Sequence, residues 1–233
     1  MSEPASSIIA KPRLPGDKPA SKVAPARLRQ PELTRERIVE AAIDSLHRFG
    51  YSVTTTILVA QNAQVSRGAM LHHFPTKALL MAEVARLTYE RDAAFYQRSV
   101  AHAVTDEQRH DLIVDAAWLR FKSPDGIAQV EIWQASRSDP ELAAIVMPVH
   151  DEVTARSQEA MHSLLKAAAP VSRAQSRSFL LFTVAALRGL AMELALGTAE
   201  ADLLPGIYRI KRALRDVVEE ARAATANANY NQD

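Results

Sequence analysis

Apolar residues recur along most of this chain at helical spacing. Ile38, Ala41, Ala42, Ser45, Leu46 and Phe49 fall at i, i+3, i+4, i+7, i+8 and i+11, a small-or-apolar stripe on one helix. Thr34 is placed to cap its start and Gly50 to stop it. Ser52 to Val59 is dense in β-branched residues and, taken alone, reads as a strand. The longer pattern overrides that reading. Val59, Ala60, Ala63, Val65 and Met70 are spaced as two short crossing helices, with Thr55 able to cap the first and Ser66 the second.

Later helices announce themselves by their starts and breaks. Thr76 caps a helix from Lys77 to about Ala103. Thr105-Asp106-Glu107-Gln108 is a capping box for a helix ending near Lys122. Ser123-Pro124 opens one to about Ser138, and Asp139-Pro140 opens one to about Ala169, before Pro170. Ser172-Arg173-Ala174-Gln175 is a second capping box, for a helix closing at Gly197. Pro205-Gly206 precedes a last helix of about 207–223. The reading is all-α: a basic arm without order over 1–31, a helix-turn-helix domain over 32–92, a larger helical domain over 93–225, and a tail over 226–233.

Composition changes this picture in three places. Hydrophobic residues make up 48% of the 233, enough for a real core. Net charge is only +1, so a nucleic-acid reading needs a local basic surface. Within 1–30, Lys11, Arg13, Lys18, Lys22, Arg27 and Arg29 outweigh Glu3 and Asp17, so the arm could touch phosphates or simply be solvated. The absence of cysteine excludes disulfides and thiolate chemistry and fits the cytoplasm. The best membrane candidate, Phe179 to Leu196, holds Arg188 and Glu193, so it reads as a buried helix of a soluble protein.

The segment from Gly50 to Pro75 carries the chemistry. Ala60 is small enough for a close helix crossing, and Met70 can pin the second helix. Gln64 stands in the turn, where a residue tolerating positive φ is wanted. Ser66, Arg67 and Gly68 would present a cation and free N–H groups to a duplex, and Gly68 and Ala69 permit close approach to bases. His72 and His73 end that helix near the backbone, and Lys77 suits a phosphate.

Gly50-Tyr51, Thr54-Thr55, Val59-Ala60, Ala63-Gln64-Val65-Ser66, Gly68, Met70-Leu71, His73-Phe74 and Lys77, at these spacings, resemble the DNA-binding domain of the TetR family of bacterial transcriptional regulators. The resemblance covers about residues 32–92 and departs at Leu71, where the family has a phosphate-contacting tyrosine, and at Gln64, where it has glycine. It implies a repressor that binds a double-stranded DNA operator as a homodimer and is released by a small-molecule effector. It also implies DNA contacts from Thr54, Thr55, Ser66, Arg67, Gly68, Ala69, Leu71, His72, His73 and Lys77, and dimerisation through 172–197 and 207–223.

Within those helices Phe179, Phe182, Ala186, Leu190 and Leu194, then Ile207, Ile210, Leu214 and Val217, repeat at helical spacing. Large or polar residues of the apolar helices are candidates for an effector site: Tyr96, Trp118, Trp133, Arg137, His150 and Arg188, with core packing the rival reading for each aromatic. Arg188 could pair with Glu193, Glu131 or a second subunit, or meet an anionic effector. No catalytic fingerprint is present, and no cofactor or metal is expected. His102, Asp106 and His110 share a four-residue spacing but straddle the break at Thr105.

Overall fold

The computed structural model describes residues 26–230, with nine helices among them: α1 (Ala26–Val53), α2 (Thr56–Asn62), α3 (Arg67–His73), α4 (Lys77–Val100), α5 (Asp106–Phe121), α6 (Pro124–Ser136), α7 (Pro140–Ala168), α8 (Arg173–Ala195) and α9 (Glu200–Tyr230). The capping residues act as the sequence suggests. Thr55, Ser66, Thr76, Thr105, Ser123, Asp139 and Ser172 each accept a backbone N–H of their helix's first turn. The second capping box is complete. At the first, Gln108 instead accepts the N–H of Val104, 2.8 Å away.

Three boundaries differ from expectation. Residues 26–31 are helical, so the predicted arm is shorter, and 1–25 lie outside the described residues. Thr34 is no cap: its hydroxyl donates back to the Gln30 carbonyl at 2.9 Å, a bond threonine makes within a helix. Gly50 interrupts α1 where the sequence suggests a stop, with non-helical φ 75° and ψ 175°, and a short helical turn follows the kink to Val53. The last helix begins at Glu200, seven residues early, and runs past the predicted tail boundary to Tyr230, with 231–233 outside the described residues. Gly197, at φ 100°, ends α8 by sending the Thr198 N–H to the Glu193 carbonyl at 3.0 Å. Glu200 is then anchored at once by the indole N–H of Trp118 at 3.1 Å and by Lys122 at 2.5 Å. Pro205 falls early in α9, and Gly206 lies where a Cβ would stand 3.2 Å from Leu190.

Two hydrophobic clusters hold the helices. One joins α1–α4 to α6 and the start of α7 through Ile38, Leu46, Val59, Met70, Leu80, Met81, Ile132 and Leu142. The other joins α5, the end of α7, α8 and α9 through Trp118, Leu165, Leu187, Ile207, Ile210 and Leu214. The first cluster crosses the expected boundary at residue 92, because α6 packs against α1. Gly126 makes the α5–α6 corner possible: a Cβ there would sit 2.2 Å from the Arg120 carbonyl oxygen.

Candidate nucleic-acid interface

The turn between α2 and α3 is as tight as the motif requires. The N–H groups of Gln64 and Val65 reach the carbonyls of Gln61 and Ala60 at 3.0 Å each. Gln64 adopts φ 54°, the only positive-φ residue other than glycine among the described residues. Arg37 of α1 offsets that strain by donating to the carbonyls of Ala63 and Gln64. Arg37 had no signal in the motif, because it acts from 26 residues upstream. Ala60 is buried at the crossing, and Met70 and Phe74 drive one side of α3 into the core. Arg35 stands over the Phe74 ring, 5.1 Å from its centroid, and pairs with Glu83 of α4.

The opposite side of α3 faces outward. Ser66, Arg67, Gly68, Leu71 and His72 are exposed, Ala69 and His73 are half-buried, and Thr55 is exposed at the start of α2. Leu71 is 42% exposed, an apolar side chain on an otherwise polar face. Burial lowers the pKa of His73, and His72 and Arg35 add to the effect, so His73 is neutral near pH 7. Thr54 corrects one expectation. It is fully buried, and its hydroxyl donates to the Gly50 carbonyl at 2.7 Å, so it splices the kink to α2 and does not face outward.

Lys77 is not a free surface charge. Its ammonium donates to the Tyr51 carbonyl at 2.6 Å and lies 3.6 Å from the centroid of the Tyr51 ring. Burial lowers its pKa, opposed by the Asp139 carboxylate. Tyr51 in turn is tied to the larger domain. Its N–H donates to Glu131 Oε2 of α6 at 2.8 Å, and its hydroxyl donates to Asp139 Oδ2 at 3.1 Å. Burial and Asp139 together push the Tyr51 pKa up to about 12. These partners lie 80 and 88 residues from Tyr51, and nothing local in the sequence marks them.

Of the candidate effector residues, Trp133 and His150 meet, while Trp118 and Arg137 lie apart from them. Trp118 belongs to the second cluster and is committed to Glu200. Trp133 packs on the first cluster and meets His150 edge to face at 5.0 Å. Tyr96 is near the Asp92 carboxylate, which with burial raises its pKa. Arg137 is exposed at the end of α6, so it lines no interior site. Arg188 is half-buried, its Nε has no hydrogen-bond partner among the described residues, and burial lowers its pKa. Neither proposed subunit partner reaches it, since Glu131 holds Tyr51 and Glu193 accepts from Thr198. Two surface depressions lie elsewhere: one between α7 and α8 beside Gln158, His162 and Arg177, the other between α1, α2 and α4. His102 sits before the Thr105 cap and Asp106 after it, so the three-residue cluster shares no helix face.

The predicted dimer faces are corrected in part. Phe179, Ile207, Ile210 and Leu214 point into their own subunit's core. The stripe of α8 left outside keeps Phe182 of the predicted face and adds Leu181, Ala185, Gly189, Met192 and, just past the helix end, Leu196, continued by Leu204 and Tyr208 of α9. Helix α8 is long and apolar enough to span a membrane by length and composition, yet only 22% of its most apolar window is buried within the subunit.

A tight α2–α3 turn with an outward α3, buttressed by α1 and α4, defines the helix-turn-helix fold of DNA-binding regulators. Residues 38–84 match the family model described as bacterial regulatory proteins of the tetR family. The BetI-type transcriptional regulator of Vibrio campbellii is 25% identical over 116 residues, which span 48% of this chain and 58% of that protein. An uncharacterised helix-turn-helix regulator of Mycobacterium tuberculosis is 27% identical over 135 residues, spanning 57% of this chain and 68% of that one. In fold, the chain is similar to a putative transcriptional regulator of Pseudomonas aeruginosa PAO1, with TM-score 0.64, 21% identity and coverage of 84% and 95% of the two chains. A TetR regulator of Haloarcula marismortui gives TM-score 0.63 at 14% identity, covering 82% and 98%. Over residues 38–84 the chain is thus similar to the tetR family of bacterial regulatory proteins, and the relatives it resembles are transcriptional regulators.

Proposed function

We propose that this protein is a homodimeric, cytoplasmic repressor that binds a two-fold DNA operator and leaves it when a small molecule binds the larger domain. The observation that carries this reading is the outward face of α3. Ser66, Arg67, Gly68, Leu71 and His72 are exposed on a helix whose other face is locked into the core. Arg67 has the donor geometry to read guanine, and small Gly68 lets the backbone come close. Thr55, Ala69, His73 and Lys77 flank that face toward the phosphates. One α3 spans few base pairs, so useful affinity needs two half-sites and hence two subunits.

The exposed apolar stripe of α8 and the start of α9 supports the second subunit, because a surface patch of that kind is ordinarily covered. The effector reading is supported by Arg188, whose half-buried, unpaired guanidinium favours a counter-charge. In fold-related proteins of under 25% identity, a Saccharomonospora viridis regulator was solved with choline and the multidrug binding protein EbrR with imidazole; neither assigns an effector here. The test is selection of bound duplexes from random DNA by the full chain, followed by footprinting and sedimentation. A protected site with two-fold symmetry bound by a dimer is expected. Absence of any footprint at low salt would sink the proposal.

A further inference from the structure

Tyr51 has more partners outside its own helix than a core aromatic needs. Glu131 of α6 accepts its N–H at 2.8 Å, and Asp139, which also caps α7 by accepting the Leu142 N–H at 3.0 Å, accepts its hydroxyl at 3.1 Å. From the other side, Tyr51 gives Lys77 both a carbonyl at 2.6 Å and a ring face at 3.6 Å. The kink at Gly50 makes this possible. It turns the Tyr51 N–H out of the α1 ladder and brings Glu131 so close that a Cβ on Gly50 would stand 3.1 Å from Oε2. The result is one continuous chain of contacts: α6 and α7 hold Tyr51, and Tyr51 holds the first residue of α4.

We propose that Tyr51 is a positioning residue through which α6 and α7 set the placement of Lys77 against DNA. This rests on the DNA-binding reading above. An ammonium has three donors, and the Tyr51 carbonyl takes one, which leaves two for a phosphate. A lysine already fixed at the α3–α4 corner pays little rotamer entropy when that phosphate arrives. Displacing α6 or the start of α7 moves Tyr51, frees Lys77 to many rotamers, and weakens phosphate binding without touching α3. The larger domain therefore acts on DNA affinity through a lysine it never contacts.

The test uses the full chain in two arms. In the first, lysines are reductively methylated with ¹³C, and Lys77→Arg identifies the Lys77 signal. The Tyr51 ring should shift that signal upfield. Glu131→Ala should move it toward an ordinary lysine, and Glu131→Gln, which keeps the acceptor, should restore it. In the second, affinity for a duplex selected from random DNA is measured for Glu131→Ala, Lys77→Gln and both together. Glu131→Ala should cost about 2- to 10-fold with Lys77 present and nothing measurable with Lys77→Gln. An unshifted Lys77 signal, a signal indifferent to Glu131→Ala, or additive affinity losses each overturn the proposal. Should Glu131→Ala fail to fold, Tyr51→Phe replaces it. That variant keeps the ring and carbonyl and loses only the Asp139 bond, and the same signs apply. A wild-type chain that captures no duplex overturns the DNA-binding reading as well, whereas binding with additive losses overturns this proposal alone.

Discussion

The helix-turn-helix and the α8–α9 pair solve the same problem by opposite means. Around α2 and α3, Val59, Ala60, Met70 and Phe74 are turned inward, so that segment is complete within one chain. On α8, Phe179 and Leu187 are turned inward while Leu181, Phe182 and Met192 are left outside. Most apolar residues in the first region are therefore fold residues, Ile57 and Leu71 being the exposed exceptions on α2 and α3. In the second an apolar residue belongs either to the fold or to a partner, and helical spacing alone does not say which. Spacing placed Ile207, Ile210 and Leu214 on an interface, yet all three are buried in their own subunit.

The sharpest way to break that comparison is to put the same charge on each kind of residue. Leu214 is 0% exposed, so Leu214→Arg should cost more than about 4 kcal/mol and leave no folded subunit. Phe182 is 50% exposed, so Phe182→Arg should leave a folded subunit that sediments as a monomer, with weakened DNA binding and a denaturant midpoint lowered only by the lost association. Circular dichroism and sedimentation read both outcomes. A Phe182→Arg chain that stays dimeric would move the interface elsewhere.

A second contrast runs along α4, where two carboxylates titrate in opposite directions. Burial pushes Glu83 up, but hydrogen bonds from Arg86 and Arg35 outweigh it and hold its pKa down to about 2. Burial dominates at Asp92 and lifts it to about 6 despite the Arg120 guanidinium beside it. For Glu83 the folded value lies below the unfolded one. Its stabilisation, on the order of 2–3 kcal/mol, is present above about pH 4.5 and is lost as pH falls toward 2. For Asp92 the folded value lies above the unfolded one. The folded state binds the extra proton between about pH 4 and 6, and stability falls by roughly 1–3 kcal/mol as pH rises through that window. Urea melts across pH should show Glu83→Gln flattening the acid limb and Asp92→Asn flattening the slope between pH 4 and 6. Unchanged slopes in either variant would contradict the assignment.

What could be read from the chain follows the range of the forces involved. Caps act within three residues, so Thr55, Ser66, Thr76 and Ser172 were legible. The positive φ at Gln64 was legible because the turn is local. Long-range pairings were not. Arg37 bracing the turn, Glu131 and Asp139 on Tyr51, and Lys77 drawn onto Tyr51 all depend on packing between α1, α4, α6 and α7. Thr54 went astray for the same reason, since only the kink at Gly50 turns its hydroxyl inward. Trp118 and Trp133 did not gather, because size and polarity mark a residue as unusual without saying which of two cores it joins.

Base reading supplies a smaller effect that sharpens the complete region. Arg67 is exposed at the start of α3, and Arg67→Ala should cost about 1–3 kcal/mol on the selected site and blur its sequence preference. Lys77→Gln should weaken all duplexes about equally and reduce the salt slope by about 1. Salt titrations on selected and scrambled duplexes separate the two. Equal losses for Arg67→Ala on both duplexes would make Arg67 a phosphate contact.

The smallest expected effect tests the incomplete region at one atom. Gly189 lies in the outer stripe of α8, exposed, with nothing within 4 Å of where a Cβ would stand. Within one subunit, Gly189→Ala removes a helix-interior glycine and should stabilise by about 0.5–1 kcal/mol. Across a two-fold interface the same methyl group would meet the partner's helix if the stripes pack closely there, and the dimer should then weaken. The two effects separate when Gly189→Ala is made both in the wild-type chain and in the Phe182→Arg monomer. A gain in the monomer together with a higher dimer dissociation constant in the wild-type background places Gly189 at the close crossing of α8 with its mate. A gain of equal size in both backgrounds would show that the stripe is covered along its ends and not at Gly189.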